Sequence, residues 1–204
     1  MNWKKLTLLV VVLLVADQAL KIWIKTHLAL GEAITVFPDW FQLRFIENPG
    51  AAFGMRIVTG GGFDWGKLLL GVFRIVLSGA IAWYTLYLAR QEKTPKGVLV
   101  GLTLIFAGAV GNILDSAFYG VLFSESTPYA VAHFGGSYAA PMMGKVVDMF
   151  YFPLFQWNNC PEFLRFLLDH NNYFFGPIFN LADAYISMAV VYLLLFQYRF
   201  FNAK

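Results

Sequence analysis

The sequence predicts an all-α integral membrane protein: four transmembrane helices, a small β-rich extracytoplasmic cradle and an amphipathic outer segment. Composition is the first reason. Of 204 residues, 59% are hydrophobic, 18% aromatic and 13% charged, whereas soluble domains carry about 25% charged residues. The second reason is four mostly apolar runs, at about 6–27, 67–89, 97–121 and 177–197, each near the roughly 20 residues that a helix needs to cross a bilayer. The third is a separation of charge sign along the chain.

In the first run, Lys4 and Lys5 precede an apolar stretch that imitates a signal peptide. Asp17 interrupts it, and the apolar pattern resumes through Ile22, Trp23 and Ile24, so a retained first helix is expected. An outer loop at about 28–66 follows. Its stretch "ITVFPDWFQLRFIENPGAAFG" partly alternates aromatic and branched residues between turn formers, which suggests short strands at the membrane surface. The second and third runs are separated by "RQEKTPKG", where Pro95 and Gly97 break the helix. A second outer loop, at about 122–176, is rich in Phe, Tyr, Trp and Gly, and its "PEFLRFLLDH" reads as a turn or two of amphipathic interfacial helix. The fourth run closes a single membrane-embedded domain. Only helices satisfy the backbone internally over such lengths in lipid.

Lys4, Lys5, Arg90, Lys93, Lys96, Arg199 and Lys204 fall in three short stretches. Glu32, Asp39, Glu47, Asp64, Glu125, Asp148, Glu162 and Asp169 fall in the two long loops. The positive-inside rule then puts both termini in the cytoplasm and both loops outside. Lys21 and Arg74 remain within the runs, as snorkelling or paired residues.

Several chemistries are disfavoured. The single cysteine, Cys160, excludes an internal disulfide framework and reads as a small packing residue. His27, His133 and His170 are scattered outside any H-E-x-x-H pattern, and no serine sits in G-x-S-x-G, so neither a metal site nor a serine hydrolase is expected. No basic tract suits nucleic acid, and no cofactor is required.

The polar residues inside or beside the runs are more informative. Asp17 and Lys21 stand at i and i+4, which suits an ion pair. Asn48 lies in a turn, where asparagine is common. Asn112 and Asp115 share a face about 27 Å up the third helix, and Asn180 and Asp183 repeat the spacing about 9 Å into the fourth, which enters from the other side. Two Asn-x-x-Asp faces thus meet near the outer surface, with Asp148 between them in sequence. Nearby carboxylates resist joint ionisation, so one keeps a proton while the other acts as base, as in aspartic proteases. Polar glue between helices explains the same spacing. At this level Asp115 is as strong a catalytic candidate as Asp148.

In order, "ADQALK" (16–21), "ENPGAAFG" (47–54), "AGAVGNILD" (107–115), "KVVDMF" (145–150) and "FNLADAYI" (179–186) resemble the motif regions of lipoprotein signal peptidase, the type II signal peptidase of bacteria. The resemblance implies an aspartic endopeptidase of the bacterial cytoplasmic (inner) membrane with its active site at the outer face. Its partners would be membrane lipid and a prolipoprotein carrying diacylglycerol on the lipobox cysteine, cut just before that cysteine; a monomer is expected. Asp148 and Asp183 would be the catalytic pair. Asn48, Asn112, Asp115 and Asn180 would support the site or bind substrate, and Asp17 with Lys21 would be structural. The chain departs from the family pattern in three places. Ser116 stands where arginine is usual, leaving Lys145 or Arg165 as candidate replacements; Pro49 replaces a threonine; and extra residues lie between Tyr119 and Lys145 and between Asp148 and Asp183. The alternative from another class is a non-enzymatic lipid-binding or transport protein that uses the acids as helix glue or a proton relay.

Overall fold

The computed structural model describes residues 2–38, 40–49, 64–169 and 171–202. Residues 50–54 of the "ENPGAAFG" stretch, Asp39, His170 and Lys204 lie outside the described residues. Helix α1 runs Trp3–His27, capped by Asn2, whose side chain accepts the Lys4 N–H. Helix α2, Trp65–Ala89, starts from Asp64, whose carboxylate accepts the Lys67 N–H at 2.9 Å. Such caps contribute about 1 kcal/mol each by satisfying first-turn donors.

Helix α3, Lys96–Leu114, follows Pro95 and gives way to a π-helical turn over Asp115–Tyr119 and a last short turn, α4, at Gly120–Leu122. A wide turn of this kind is rare and concentrates at functional positions. Helix α5 is Leu181–Phe196, followed by the short α6, Tyr198–Asn202.

Among the described residues, three helices are long and apolar enough to cross a membrane: Trp3–His27, Trp65–Ala89 and Lys96–Leu122. Helix α5 is apolar but shorter, at 16 residues. The segment expected at 177–197 therefore starts four residues later. Asn180 has extended backbone and caps the helix, while Phe179 ahead of it pairs with Phe150 in an isolated β-bridge. Asn180 and Asp183 are thus cap and third helical residue, not two positions on one helix face.

Helix α3 is central and packs against α5, α2 and α1. Its glycines permit the approach: a Cβ on Gly111 would sit 2.7 Å from Asp17 Oδ2, and one on Gly108 would run into the Ala182 carbonyl. At one end Leu6, Leu88, Val98, Leu99, Leu102 and Leu193 form a core. Outward-facing Leu8, Val12, Val15, Leu69, Val76, Met188 and Leu194 stay exposed, as expected of surfaces covered by lipid rather than water.

At the other end lies a three-stranded antiparallel sheet in the order β1–β2–β3: Ala33–Phe37, Phe41–Asn48 and Val146–Tyr151. Side chains alternate between faces along a strand. Phe45, Val147 and Met149 point to one face, where they pack with Ile24, Leu28, Tyr119 and Phe123. Asp148, opposite Ile46, is thereby turned to the other face. The expected amphipathic segment is a 3-10 helix, Glu162–Leu167, with Phe163 and Phe166 exposed.

Candidate active site

The two asparagines of the Asn-x-x-Asp repeats join Asp148 of β3 to Asp183 of α5. Asn180 Nδ2 donates to Asp148 Oδ1 at 2.7 Å and to Asn112 Oδ1 at 3.1 Å. Asn112 Nδ2 donates to Asp183 Oδ1 at 2.8 Å. Lys21 Nζ lies 2.9 Å from Asn112 Oδ1. Since an ammonium only donates, this contact fixes the Asn112 amide with its NH₂ toward Asp183. Asn180 Oδ1 accepts the Asp183 N–H at 2.9 Å, and the Asp183 carboxylate receives the Asn180 N–H in return, a reciprocal capping box. Asn48, at the end of β2, hydrogen-bonds Asp148 through its side chain.

Behind this layer sits a buried ionic frame. Lys21 Nζ is 3.0 Å from Asp17 Oδ2 and 2.9 Å from Asp115 Oδ2, with all three side chains essentially inaccessible. Asp17 Oδ1 accepts the Ala182 N–H at 3.0 Å, so α1 caps the first turn of α5 from outside. Asp115 Oδ2 accepts the Val147 N–H at 3.2 Å and its Oδ1 the Gln18 amide at 2.9 Å. The spacing argument ranked Asp115 equal to Asp148. In the fold, Asp115 is closed off by Lys21, Gln18 and the β3 backbone, and it holds the residue next to Asp148.

Asp148 also opens onto space. With Arg44, Asn48, Tyr151, Arg165 and Asp169 it lines a cleft of about 750 Å³ on the outer side of the sheet. Its pKa is pushed up to about 7, first by burial and then by the negative charge of Asp183; the Asn180 and Asn48 hydrogen bonds and Lys21 pull the other way. Asp183 lies within electrostatic range of Arg74 on α2. A smaller apolar groove of about 210 Å³, lined by Leu6, Val10 and Phe106 among others, lies toward the opposite end of the helices and away from the acids.

At the family's arginine position, Ser116 donates to the Asn112 carbonyl at 3.1 Å. Of the two candidate replacements, Lys145 is engaged by Glu47 and Glu125, whereas Arg165 faces the cleft. Sequence reasoning missed Gln18, which bridges Asp17, Asp115 and the Gly111 carbonyl. It also missed the buried pair of Lys25 and Glu47. The available signal was a stripe: Asp17, Lys21 and Lys25 recur every four residues, on one side of an otherwise apolar helix.

The family model for signal peptidase (SPase) II matches residues 9–199. The lipoprotein signal peptidase of Porphyromonas gingivalis is 44% identical over 94% of this chain and 81% of its own length. That of Amoebophilus asiaticus is 34% identical over 89% of this chain and 72% of its own. Two solved bacterial membrane enzymes share the fold: one at TM-score 0.60 and 21% identity over 99% of this chain and 93% of the other, one at 0.58 and 22% over 95% and 92%. With five motif regions in order, a matched family model over most of its length and an aspartate pair joined by asparagines, the chain belongs to the signal peptidase II family.

Proposed function

We propose that this protein cuts diacylglyceryl-modified prolipoproteins just before the lipidated cysteine, with Asp148 and Asp183 as the catalytic pair. As a signal peptidase II it is an aspartic peptidase that removes signal peptides from prolipoproteins. The observation that carries the residue assignment is the Asp148–Asn180–Asn112–Asp183 chain of hydrogen bonds beside an open cleft.

In this reading the pair shares one proton. The ionised carboxylate takes a proton from water as the water oxygen attacks the scissile carbonyl. The protonated one hydrogen-bonds the developing oxyanion and then gives its proton to the leaving amine. Burial of Asp148 and its proximity to Asp183 keep that proton in place up to about pH 7. Asn48, Asn112 and Asn180 orient the pair. Asp115, Asp17 and Lys21 fix the elements that carry it.

The membrane arrangement belongs to the same proposal. Helix α5, with its flanking residues, is the fourth crossing; 16 residues rise about 24 Å, somewhat short of the roughly 30 Å hydrocarbon core. Both termini are cytoplasmic, and the sheet and cleft lie outside. The lipid chains of the substrate lie between helices while its peptide crosses the outer rim. The signal peptidase II family match favours this reading over a lipid-binding or transport protein that uses the acids as helix glue or a proton relay.

The test is processing of a lipidated precursor by purified protein carrying Asp148→Asn or Asp183→Asn. Each variant should fold, bind precursor and lose turnover by on the order of 10⁴-fold. Normal turnover in both variants would remove the pair from the mechanism.

A further inference from the structure

Outside the catalytic layer, a second buried ionic cluster joins three separate parts of the chain. The side chain of Glu47 on β2 is 2% exposed. Its Oε1 receives Lys25 Nζ from α1 and the Ser126 hydroxyl at 2.9 Å. Its Oε2 lies 3.1 Å from Lys145 Nζ, which is also 3.7 Å from Glu125. Tyr138 stands beside both lysines, its ring centre 5.0 Å from Lys25 Nζ and 5.4 Å from Lys145 Nζ, and its hydroxyl accepts the Lys145 N–H. Ser126, Glu125 and Tyr138 come from the stretch that departs from the family pattern between Tyr119 and Lys145, and Lys145 itself opens the "KVVDMF" motif that follows it.

The location gives the cluster its meaning. Glu47 and Asn48 pair across the ladder with Val147 and Val146. Lys145 immediately precedes that strand, so its ion pair with Glu47 closes the open end of the β2–β3 ladder. Because side chains alternate, Glu47 reaches back into the cluster while Asn48 reaches forward to Asp148. We propose that Lys145 is a positioning residue for the reaction: by holding Glu47 it fixes the end of β2, and with it the Asn48 amide against Asp148. The extra segment is thereby a brace for the active site rather than a surface decoration. This rests on Asp148 and Asp183 being the catalytic pair.

The consequence is electrostatic as well as geometric. Asp148 is faced by Asp183 from α5, Lys21 from α1, and Arg44, Arg165 and Asp169 around the cleft. Lys145 is paired with none of these, its partners being Glu47 and Glu125. The Asn48 hydrogen bond favours the ionised form of Asp148, so loosening it raises the pH at which the shared proton leaves.

The experiment compares Lys145→Met, Lys145→Arg, Asn48→Ala and the Lys145→Met/Asn48→Ala double variant on a synthetic diacylglyceryl-cysteine precursor peptide. Lys145→Met leaves Glu47 still paired with Lys25, and thermal melting checks that it folds. We expect it to lower kcat about tenfold with KM within about twofold, since small misplacements of reacting groups cost rate. The alkaline limb of the pH profile should move upward, as in Asn48→Ala. The double variant should be no worse than Asn48→Ala, because interacting residues are not additive, and Lys145→Arg should restore activity. Multiplicative losses in the double variant, or a lower melting temperature with an unmoved alkaline limb, would overturn the bracing role. Asp148→Asn runs alongside: its inactivity with independent Lys145 and Asn48 effects sinks only the brace, whereas its full activity sinks the catalytic pair and the brace with it.

Discussion

Asn180 has every polar atom of its side chain committed. It donates to Asp148 and Asn112 and accepts from the Asp183 backbone. One residue is therefore helix cap and bridge between the acids at once. Asp148 carries a different burden. Its folded pKa of about 7 lies above the ordinary aspartate value of 3.8, so the native state holds a proton that the unfolded chain has released. The stability it contributes is full below about pH 4 and falls as pH rises toward 7, by on the order of 4 kcal/mol in all. Asp148→Asn removes the ionisation, and Asn keeps an acceptor for Asn180. The variant should melt at a higher temperature than the parent above pH 7, with the difference closing toward pH 4. A parent that is the more stable of the two at pH 8 would contradict the burial account.

Elements meet closely here because of small residues. Helix α5 is pressed onto α3 at Gly108 and Gly111, and α1 reaches the same junction through Asp17. Gly111→Ala forces its Cβ to within 2.7 Å of Asp17 Oδ2 and 3.2 Å of the Ala182 Cβ. This pushes on the residue that caps α5. Gly79 on α2 has open space around its Cβ position. Gly79→Ala should leave processing intact and raise helix stability by up to about 1 kcal/mol. Gly111→Ala should lower both melting temperature and turnover. Equal behaviour of the two variants would show that the α3–α5 junction tolerates displacement. The glycines were visible in "AGAVGNILD", but their purpose was not, because close approach is a property of the partner helix. The start of α5 was misread for a related reason. Asn180 belongs to a helical-looking run until its Asp148 and Asn112 partners give it a reason to leave the helix and cap it.

At the scale of the whole molecule, apolar outward faces surround the helices while acids, aromatic rings and the sheet gather at one end. The proposed orientation makes that end extracytoplasmic. In a Cys160→Ser background, Tyr129→Cys should react with a membrane-impermeant thiol reagent from outside intact cells, since Tyr129 is 97% exposed. Glu92→Cys, in the turn between α2 and α3, should react only after lysis. Labelling of position 92 from outside would reverse the topology and put the cleft in the cytoplasm.

The sequence by itself determined the class of molecule. Long apolar runs and sparse charge require helices in lipid, because hydrocarbon offers no partner for an open backbone. It also determined the residue types at the site, since acids and asparagines near lipid persist only where polar company offsets their cost. Only the tertiary structure decided which acid is enclosed and which lines the cleft. Asp115 and Asp148 looked alike along the chain, but Lys21, Gln18 and the Val147 N–H close around Asp115. Strand β3 instead turns Asp148 outward to the cleft. Those partners come from α1 and from a strand paired across about a hundred residues of sequence, so no local pattern could encode the distinction. Spacing names the acids; the charges brought around them by folding set their protonation and access.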